Sequence, residues 1–317
     1  MILVVALNPA LDVTHHVDGV DWSGVNRPAE VLSRPGGKGL NVARILAAVG
    51  AGVHVLGLAG GSTGDAVASA LAAIGVPATF VRIGGETRRT FAVVDARTGD
   101  AGLFNEPGPA VAPEEYERLC VIYKKRLADW SAVVLSGSLP LGLPPGSYAE
   151  LAALAAAAGV PVLLDAHGEA LLRGAAARPA IVKPNLAELE ALTGRRLAAA
   201  GGPDRTAVAA AARELRAAGA DAVVVSLGAD GLWAVTSDGC WRAAPPLVVT
   251  GNPTGAGDAV AAGLVRGLVL GHPWEQRLRH AVALGTASAA ASAAGEFSYD
   301  HYRELLGAVS VRREEAR

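Results

Sequence analysis

Residues Met1-Ile-Leu-Val-Val-Ala-Leu-Asn8 hold an unbroken apolar run, Ile2–Leu7, closed by a polar residue. A strand with one wet face alternates apolar and polar residues. A run without alternation suits a strand covered on both faces, as in a parallel sheet between two layers of helices. Runs of the same kind recur at Val53–Leu58, Ala132–Leu135, Pro161–Leu164, Ala180–Val182 and Ala222–Val225. Between them lie helix candidates at Leu40–Val49, Asp65–Ile74, Pro113–Leu127, Gly146–Ala157, Asn185–Thr193, Arg205–Ala218 and Gly257–Leu270. Several stop at Gly50, Gly75, Gly219 or Gly271, where a left-handed residue is expected after a helix. This alternation predicts an α/β fold, a doubly wound and mostly parallel sheet with ligands at the C-terminal strand ends.

The bulk properties narrow the function. A chain of 317 residues can bury a full core, as one large α/β domain or two smaller ones. With a net charge of −2 and no long Lys or Arg run, it lacks the electrostatic footprint of a nucleic-acid binder. Cys120 and Cys240 are the only cysteines, which excludes a disulfide framework and a cysteine-based zinc site and fits a cytoplasmic protein. The first residues have no basic segment of a signal peptide, and no unbroken apolar stretch reaches the ~18 residues of a membrane span. Much of the hydrophobic content is alanine, as in Leu151-Ala-Ala-Leu-Ala-Ala-Ala-Ala158, which favours helices. His15-His16 is the one adjacent histidine pair and reads as part of a strand without metal duty.

Two segments depart from the α/β rhythm. Val13–Ser33 and Thr87–Asn105 carry short β stretches with polar alternation, and Arg97-Thr-Gly-Asp100 reads as a hairpin turn. They can pair into a small sheet projecting from the body, either as a lid over the strand ends or as a decorative hairpin. The tail Val311-Arg-Arg-Glu-Glu-Ala-Arg317 reads as a solvated helix end or a frayed terminus.

The chemistry-bearing motifs sit at strand ends and helix starts. Asn252-Pro-Thr-Gly-Ala-Gly-Asp258 precedes an Ala/Leu/Val run. A glycine-rich turn that opens a helix aims backbone N–H groups outward as an anion site, with Asp258 in the first helical turn. A carboxylate beside such a cradle suits phosphoryl transfer, as base for an incoming hydroxyl. The plainer alternative is an acid that complements the helix dipole. Arg34-Pro-Gly-Gly-Lys-Gly-Leu-Asn41 is a second turn of this kind, with Lys38 and Asn41 able to reach hydroxyls or a phosphate. It is not a Walker A loop, and no Gly-x-Gly-x-x-Gly dinucleotide fingerprint occurs. Asp12 follows the first strand and can bind sugar hydroxyls or cap a turn. In Lys183-Pro-Asn-Leu-Ala-Glu188, Asn185 and Glu188 have the spacing of a capping box, compatible with ordering Mg²⁺ and its waters. Ser226-Leu-Gly-Ala-Asp-Gly231 ends a strand in a tight turn suited to a nucleotide or to a simple β-turn.

Taken in order, these motifs resemble those of the PfkB (ribokinase-like) carbohydrate kinase family over about residues 1–308. The match is most similar to its 1-phosphofructokinase and tagatose-6-phosphate kinase branch. It is carried by Leu7-Asn-Pro-Ala-Leu-Asp-Val-Thr14, Gly36-Gly-Lys-Gly-Leu-Asn-Val-Ala43, Gly85-Glu-Thr-Arg88, Asn105-Glu-Pro-Gly-Pro109, Leu135-Ser-Gly-Ser-Leu-Pro140, Lys183-Pro-Asn185, Ser226-Leu-Gly228 and Gly255-Ala-Gly-Asp258. The chain departs from that branch at Ala166-His167, usually Thr-Ser or Ser-Ser, and at Ala259, commonly Ser. The resemblance implies Asp258 as general base and the amides of Gly255, Ala256 and Gly257 as the anion hole. It implies Asp12, Gly37, Lys38 and Asn41 on the sugar, and Arg88 on the substrate's existing phosphate. Lys183, Asn185, Glu188, Ser226 and Gly228 would line the MgATP side, with Mg²⁺ carried on the ATP phosphates and Asn185 and Glu188 acting through water. The implied domains are a core of residues 1–11, 34–86 and 106–317 and a β-sheet lid of 12–33 and 87–105, the lid also pairing two subunits as a homodimer. The expected activity is ATP-dependent phosphorylation of a ketohexose phosphate. A kinase of a plain sugar or nucleoside and a non-catalytic sugar-responsive regulator are the alternatives.

Overall fold

The structure, a computed structural model, describes residues 1–199, 201–246, 254–291 and 293–314. Its strands are β1 (Ile2–Ala6), β2 (Ala10–Val17), β3 (Glu30–Gly36), β4 (Val53–Ala59), β5 (Ala78–Arg82), β6 (Arg88–Asp95), β7 (Ala101–Asn105), β8 (Ala132–Ser136), β9 (Val162–Asp165), β10 (Ile181–Val182), β11 (Ala198–Ala199), β12 (Gly202–Pro203), β13 (Val223–Ser226), β14 (Leu232–Thr236), β15 (Gly239–Ala244) and β16 (Ser310–Glu314). Its α-helices are α1 (Lys38–Ala48), α2 (Gly61–Ala73), α3 (Pro113–Arg126), α4 (Ser147–Ala157), α5 (Gly168–Ala176), α6 (Leu186–Thr193), α7 (Arg205–Ala217), α8 (Ala256–Val269), α9 (Trp274–Ala289) and α10 (Tyr299–Ala308).

Ten strands form one sheet in the order β16-β15-β14-β13-β10-β9-β8-β1-β4-β5. From β13 to β5 neighbouring strands run parallel, and β13 through β16 continue as an antiparallel extension. The pleat of β1 shows why its apolar run is unbroken. Leu3, Val5 and Leu7 join a core with residues of α3 to α7, such as Leu119, Leu151, Leu171, Leu189 and Leu215. Ile2, Val4 and Ala6 join the opposite core with α1, α2 and α8 to α10, through Leu46, Leu71, Leu264, Leu278 and Leu305. Each fully buried Leu or Val contributes about 1.5–3 kcal/mol. A one-residue slip of β1 would exchange its two sets of side chains between the cores, so both cores fix its register. The chain reverses its winding at β1, with β4 on one side and β8 on the other. Such a switch point leaves a crevice beyond the strand ends.

A four-stranded sheet, β3-β2-β6-β7, stands apart from the large one. The two polar-alternating segments supply its strands, and its pairing runs past Val13–Ser33, from Ala10 to Gly36, because the β2–β3 ladder closes at Ala10↔Gly36. β2 and β6 pair in parallel, and β6 and β7 form a hairpin around Arg97–Asp100. His15 and His16 lie in β2, His15 stacking on Phe91, and among the described residues no group of His, Cys, Asp or Glu forms a metal cluster.

Several elements differ from the sequence expectations. Residues 311–314 of the tail belong to the edge strand β16 on β15, where a helix end or frayed terminus was expected. α5, α9 and α10 and the strands β5, β14 and β15 were not marked by apolar runs or helical spacing. In α9 the cause is side-chain size. It packs on α8 through Ala and Gly, so closely that a methyl group on Gly263 would lie 2.7 Å from the Cα of Ala281. Small residues that permit such an approach give little contrast in hydrophobicity.

Candidate active site

The first turn of α8 sits at the crevice. Gly255 adopts φ 87° just before the helix, a left-handed conformation that costs glycine little. It is also hemmed in, since a methyl group there would lie 2.9 Å from the Cα of Ala294. Ala256 and Gly257 open the helix, whose first amides have no partner within it. Asp258 follows with only 6% of its surface exposed, and its Oδ2 accepts a 2.8 Å hydrogen bond from Asn41 Nδ2 of α1. Burial, with the nearby Asp165 carboxylate, pushes the Asp258 carboxyl up to about 7, while the Asn41 hydrogen bond, Lys38 and Lys183 pull it down. A base titrating there takes a proton efficiently near neutral pH. Asn252 and Pro253 of the same motif lie outside the described residues.

Behind the α8 turn lies a buried charge network. Asp165, at the end of β9 and fully buried, accepts from Lys38 Nζ at 3.1 Å and pairs with Lys183 Nζ at 3.0 Å. Burial works against its charge, but Lys183 and Lys38 more than offset that and hold its pKa below the usual carboxylate value. Lys38 also meets Glu188 at 3.2 Å. Burial disfavours the Lys38 charge, yet Asp165 and Glu188 outweigh it and keep the ammonium protonated well above its ordinary range. Lys183 is 3% exposed, and its Nζ would stand 3.6 Å from a methyl group on Gly257. Lys183 therefore faces the helix turn. Lys38, expected on the sugar, lines the crevice with its ammonium held by the Asp165 and Glu188 carboxylates. Asn185 and Glu188 form the capping box of α6: Asn185 Oδ1 accepts from the Glu188 amide at 2.7 Å and Glu188 Oε2 from the Asn185 amide at 2.8 Å. Asn185 is also bridged to Ser226 at the end of β13.

On the side of the small sheet, Asp12 accepts a short hydrogen bond from Thr90 Oγ1, and burial raises its pKa despite that bond and the nearby Arg88 and Arg44. Arg88 opens β6, with Nε donating to the Asn8 carbonyl and Nη1 to that of Glu106, both at 3.3 Å. Its neighbour Arg89 is exposed, as the pleat requires, so only one of the two adjacent arginines faces the crevice.

Asp12, Gly37, Lys38, Asn41, Arg88, Lys183, Asn185, Ser226, Gly228, Gly255, Ala256, Gly257 and Asp258 all line a single cavity of about 1230 Å³. Glu188 does not line it but reaches Lys38, which does. A second cavity of about 400 Å³ adjoins across Gly37, Lys38 and Arg88 and takes in Asn8, Ser138 and His167. Asp165, Arg34, Arg44 and Thr90 are among the lining residues to which sequence reading gave no role. Arg44 stands three residues after Asn41 on one helix, and Thr90 two after Arg88 on one strand, spacings that share a face. Asp165 had a weaker signal, an acid that ends an apolar strand.

The comparisons agree with this geometry. The model of the pfkB family of carbohydrate kinases matches residues 4–300. A 1-phosphofructokinase from Rhodobacter capsulatus is 41% identical over 285 residues, covering 89% of this chain and 88% of that protein. Phosphofructokinase-2 from Escherichia coli, solved in complex with potassium, superposes with a TM-score of 0.88 at 31% identity over 96% of this chain and 98% of that one. The same enzyme in complex with fructose-6-phosphate gives a TM-score of 0.86 at 30% identity over the same shares of the two chains. The strand order, the Gly-Ala-Gly-Asp helix start and these matches place the chain in the pfkB family of carbohydrate kinases.

Proposed function

We propose that this chain transfers the γ-phosphoryl group of ATP to a free hydroxyl of a ketohexose phosphate, giving ADP and a sugar bisphosphate. The observation that carries the reading is Asp258, a buried carboxyl titrating at about 7 beside the first turn of α8 and held by Asn41. The acceptor lies between Asp12 and Asp258, and Arg88 takes its existing phosphate with a planar fork. Asp258 accepts the hydroxyl proton as the oxygen attacks phosphorus. The amides at Gly255, Ala256 and Gly257 and the ammonium of Lys183 face the charge on the transferring oxygens. ATP lies along Asn185, Ser226 and Gly228. The candidates are fructose 1-phosphate, fructose 6-phosphate and tagatose 6-phosphate. The R. capsulatus relative, a 1-phosphofructokinase, favours the first.

ATP-dependent transfer implies a divalent ion, for which Mg²⁺ is the natural choice. The residues present fit it: Asn185 and Glu188, at the start of α6, offer hard oxygen atoms, and the phosphates would carry the ion. When bound, it neutralises phosphate charge. Asn185 and Glu188 would meet its waters.

Among the described residues no helix is long and apolar enough to cross a membrane, and the reading places the chain in the cytoplasm with its substrates. The small sheet acts as the lid and as a homodimer surface. Trp22, Val25, Val31, Leu103 and Phe104 are more than half exposed on it, an unusual apolar load for a free face. Its E. coli relative has been solved in a tetrameric form.

The test is Asp258→Asn with ADP release as readout. The variant should fold and bind MgATP but lose at least ~10²-fold in kcat. Turnover near that of the wild type would return Asp258 to the role of a helix-dipole acid.

A further inference from the structure

Arg44 lines the main cavity from α1, yet it is turned to the protein and not the open space. Its side chain is only 9% exposed. Nη1 donates to the Ala294 carbonyl at 3.0 Å and more weakly to that of Pro35 at 3.4 Å, and Nη2 donates to Glu296 at 3.3 Å. Glu296 also takes Arg34 Nε from β3 at 3.2 Å. One guanidinium therefore fixes the short stretch 294–296 against α1.

That stretch touches both halves of the transfer machinery. A methyl group on Gly295 would lie 2.8 Å from Asn41 Oδ1 and 2.8 Å from Arg44 Nη1. One on Gly255 would lie 2.9 Å from both the Ala294 Cα and the Gly295 amide nitrogen. There is no slack at either contact. Asn41 Oδ1 is buried without a hydrogen-bond partner among the described residues, so its own oxygen bonds do not decide which way the amide turns. The Nδ2 bond to Asp258 Oδ2 sets that, and the Gly295 backbone closes the space on the Oδ1 side and keeps the amide in place.

We propose that Arg44 is a positioning residue for phosphoryl transfer: by holding the Ala294–Glu296 stretch it keeps in place the Asn41 amide that orients the Asp258 carboxylate and seats the first residue of the anion cradle. This rests on Asp258 as the base. Arg44 touches neither substrate in this arrangement and acts through two neighbours. The charged groups around it are Glu296, Arg34 and Asp12. Those around Asp258 are Asp165, Lys38 and Lys183.

The experiment is the pH profile of kcat for Arg44→Met, which keeps the apolar stem, with Arg44→Lys as the conservative rescue. A base misplaced by a fraction of an ångström costs roughly ten- to a hundred-fold in rate. Arg44→Met should lose kcat on that scale while the Kd for MgATP stays within about twofold. Its acid limb should move to higher pH, because a loosened Asn41 no longer holds the Asp258 pKa down. Arg44→Lys should recover part of kcat. Glu296→Gln, at a half-exposed position, gives the same shift with a smaller loss and serves if Arg44→Met does not fold. An unmoved acid limb in the foldable variants overturns the proposal, whatever happens to kcat or thermal stability. Asp258→Asn run alongside separates the two ideas. If it keeps turnover, the base assignment fails; if it is dead while Arg44→Met is fully active, only the brace fails.

Discussion

The head of α8 and the small β-sheet face each other across one cavity and are built on opposite principles. Around α8, charge is buried and cross-linked: Asp165 is fully buried between two ammonium groups, and Asp258 is held by a side chain 217 residues away in sequence. The small sheet is half-buried along its central strands and leaves Leu103, Phe104 and Val31 in the open. Dipoles aimed at developing charge must be fixed before the reaction, so the α8 end spends stability on order. The proposed role of the sheet as a cover requires it to move, and its exposed apolar side chains and half-buried strands suit that role.

The largest expected effect would come from breaking the buried network. Asp165→Asn leaves Lys183 and Lys38 without their shared counter-charge and should cost about 3–5 kcal/mol in urea unfolding. On the sheet, Phe104→Ser should stay within ~0.5 kcal/mol. Equal losses in the two variants would erase the contrast between the regions. Next in size is Arg88→Ala, which should raise KM for the sugar phosphate by roughly 30-fold, about 2 kcal/mol, and leave KM for ATP in place. An unchanged sugar-phosphate KM would remove the phosphate from that end of the cavity.

A third effect concerns pH. Since the Asp258 pKa is raised from 3.8 to about 7, the acid limb of kcat/KM in the free enzyme should fall near neutrality. Stability runs the other way. A carboxyl with a raised folded pKa stabilises the fold fully below its unfolded value of 3.8, and that contribution is lost as pH rises through about 7. Melting curves of the unliganded wild type should therefore fall relative to Asp258→Asn across this window. Parallel curves would mean that Asp258 is not perturbed. The smallest effect is in hydrogen exchange. On addition of acceptor, residues 10–36 and 88–105 should slow together while the α8 end, already ordered, changes little. Independent behaviour of the two segments would show that the sheet does not close as one body.

The two regions also differed in how far the sequence disclosed them. The parallel strands were readable because burial on both faces leaves runs such as Ile2–Leu7, and the polar alternation of the small sheet marked it as separate. Helix α9 was not, because its contact with α8 is made by alanine and glycine. At the site, residues within local motifs were visible: the glycine turns, Asp258, Lys183 and the capping box. Arg44 and Asp165 were not, since their roles depend on partners far along the chain. Arg44 meets Ala294 across 250 residues and Asp165 meets Lys38 across 127, and no local spacing records such a meeting. Lys38 itself was visible because its turn is local, but its pairing with Asp165 and Glu188 was not, because those carboxylates lie far along the chain.

The strand β16 has a bearing on how copies of this chain meet. It is one of the two outermost strands of the ten, with β5 at the other edge, and among the described residues it pairs only with β15. Its sequence is Ser310-Val-Arg-Arg-Glu314, with Arg312 and Arg313 exposed and the Arg313 guanidinium 5.9 Å from the Trp241 ring. A second molecule adding a strand there would have to strip water from adjacent cations along the joint. The free backbone groups of this rim are thus guarded against fibre-like stacking.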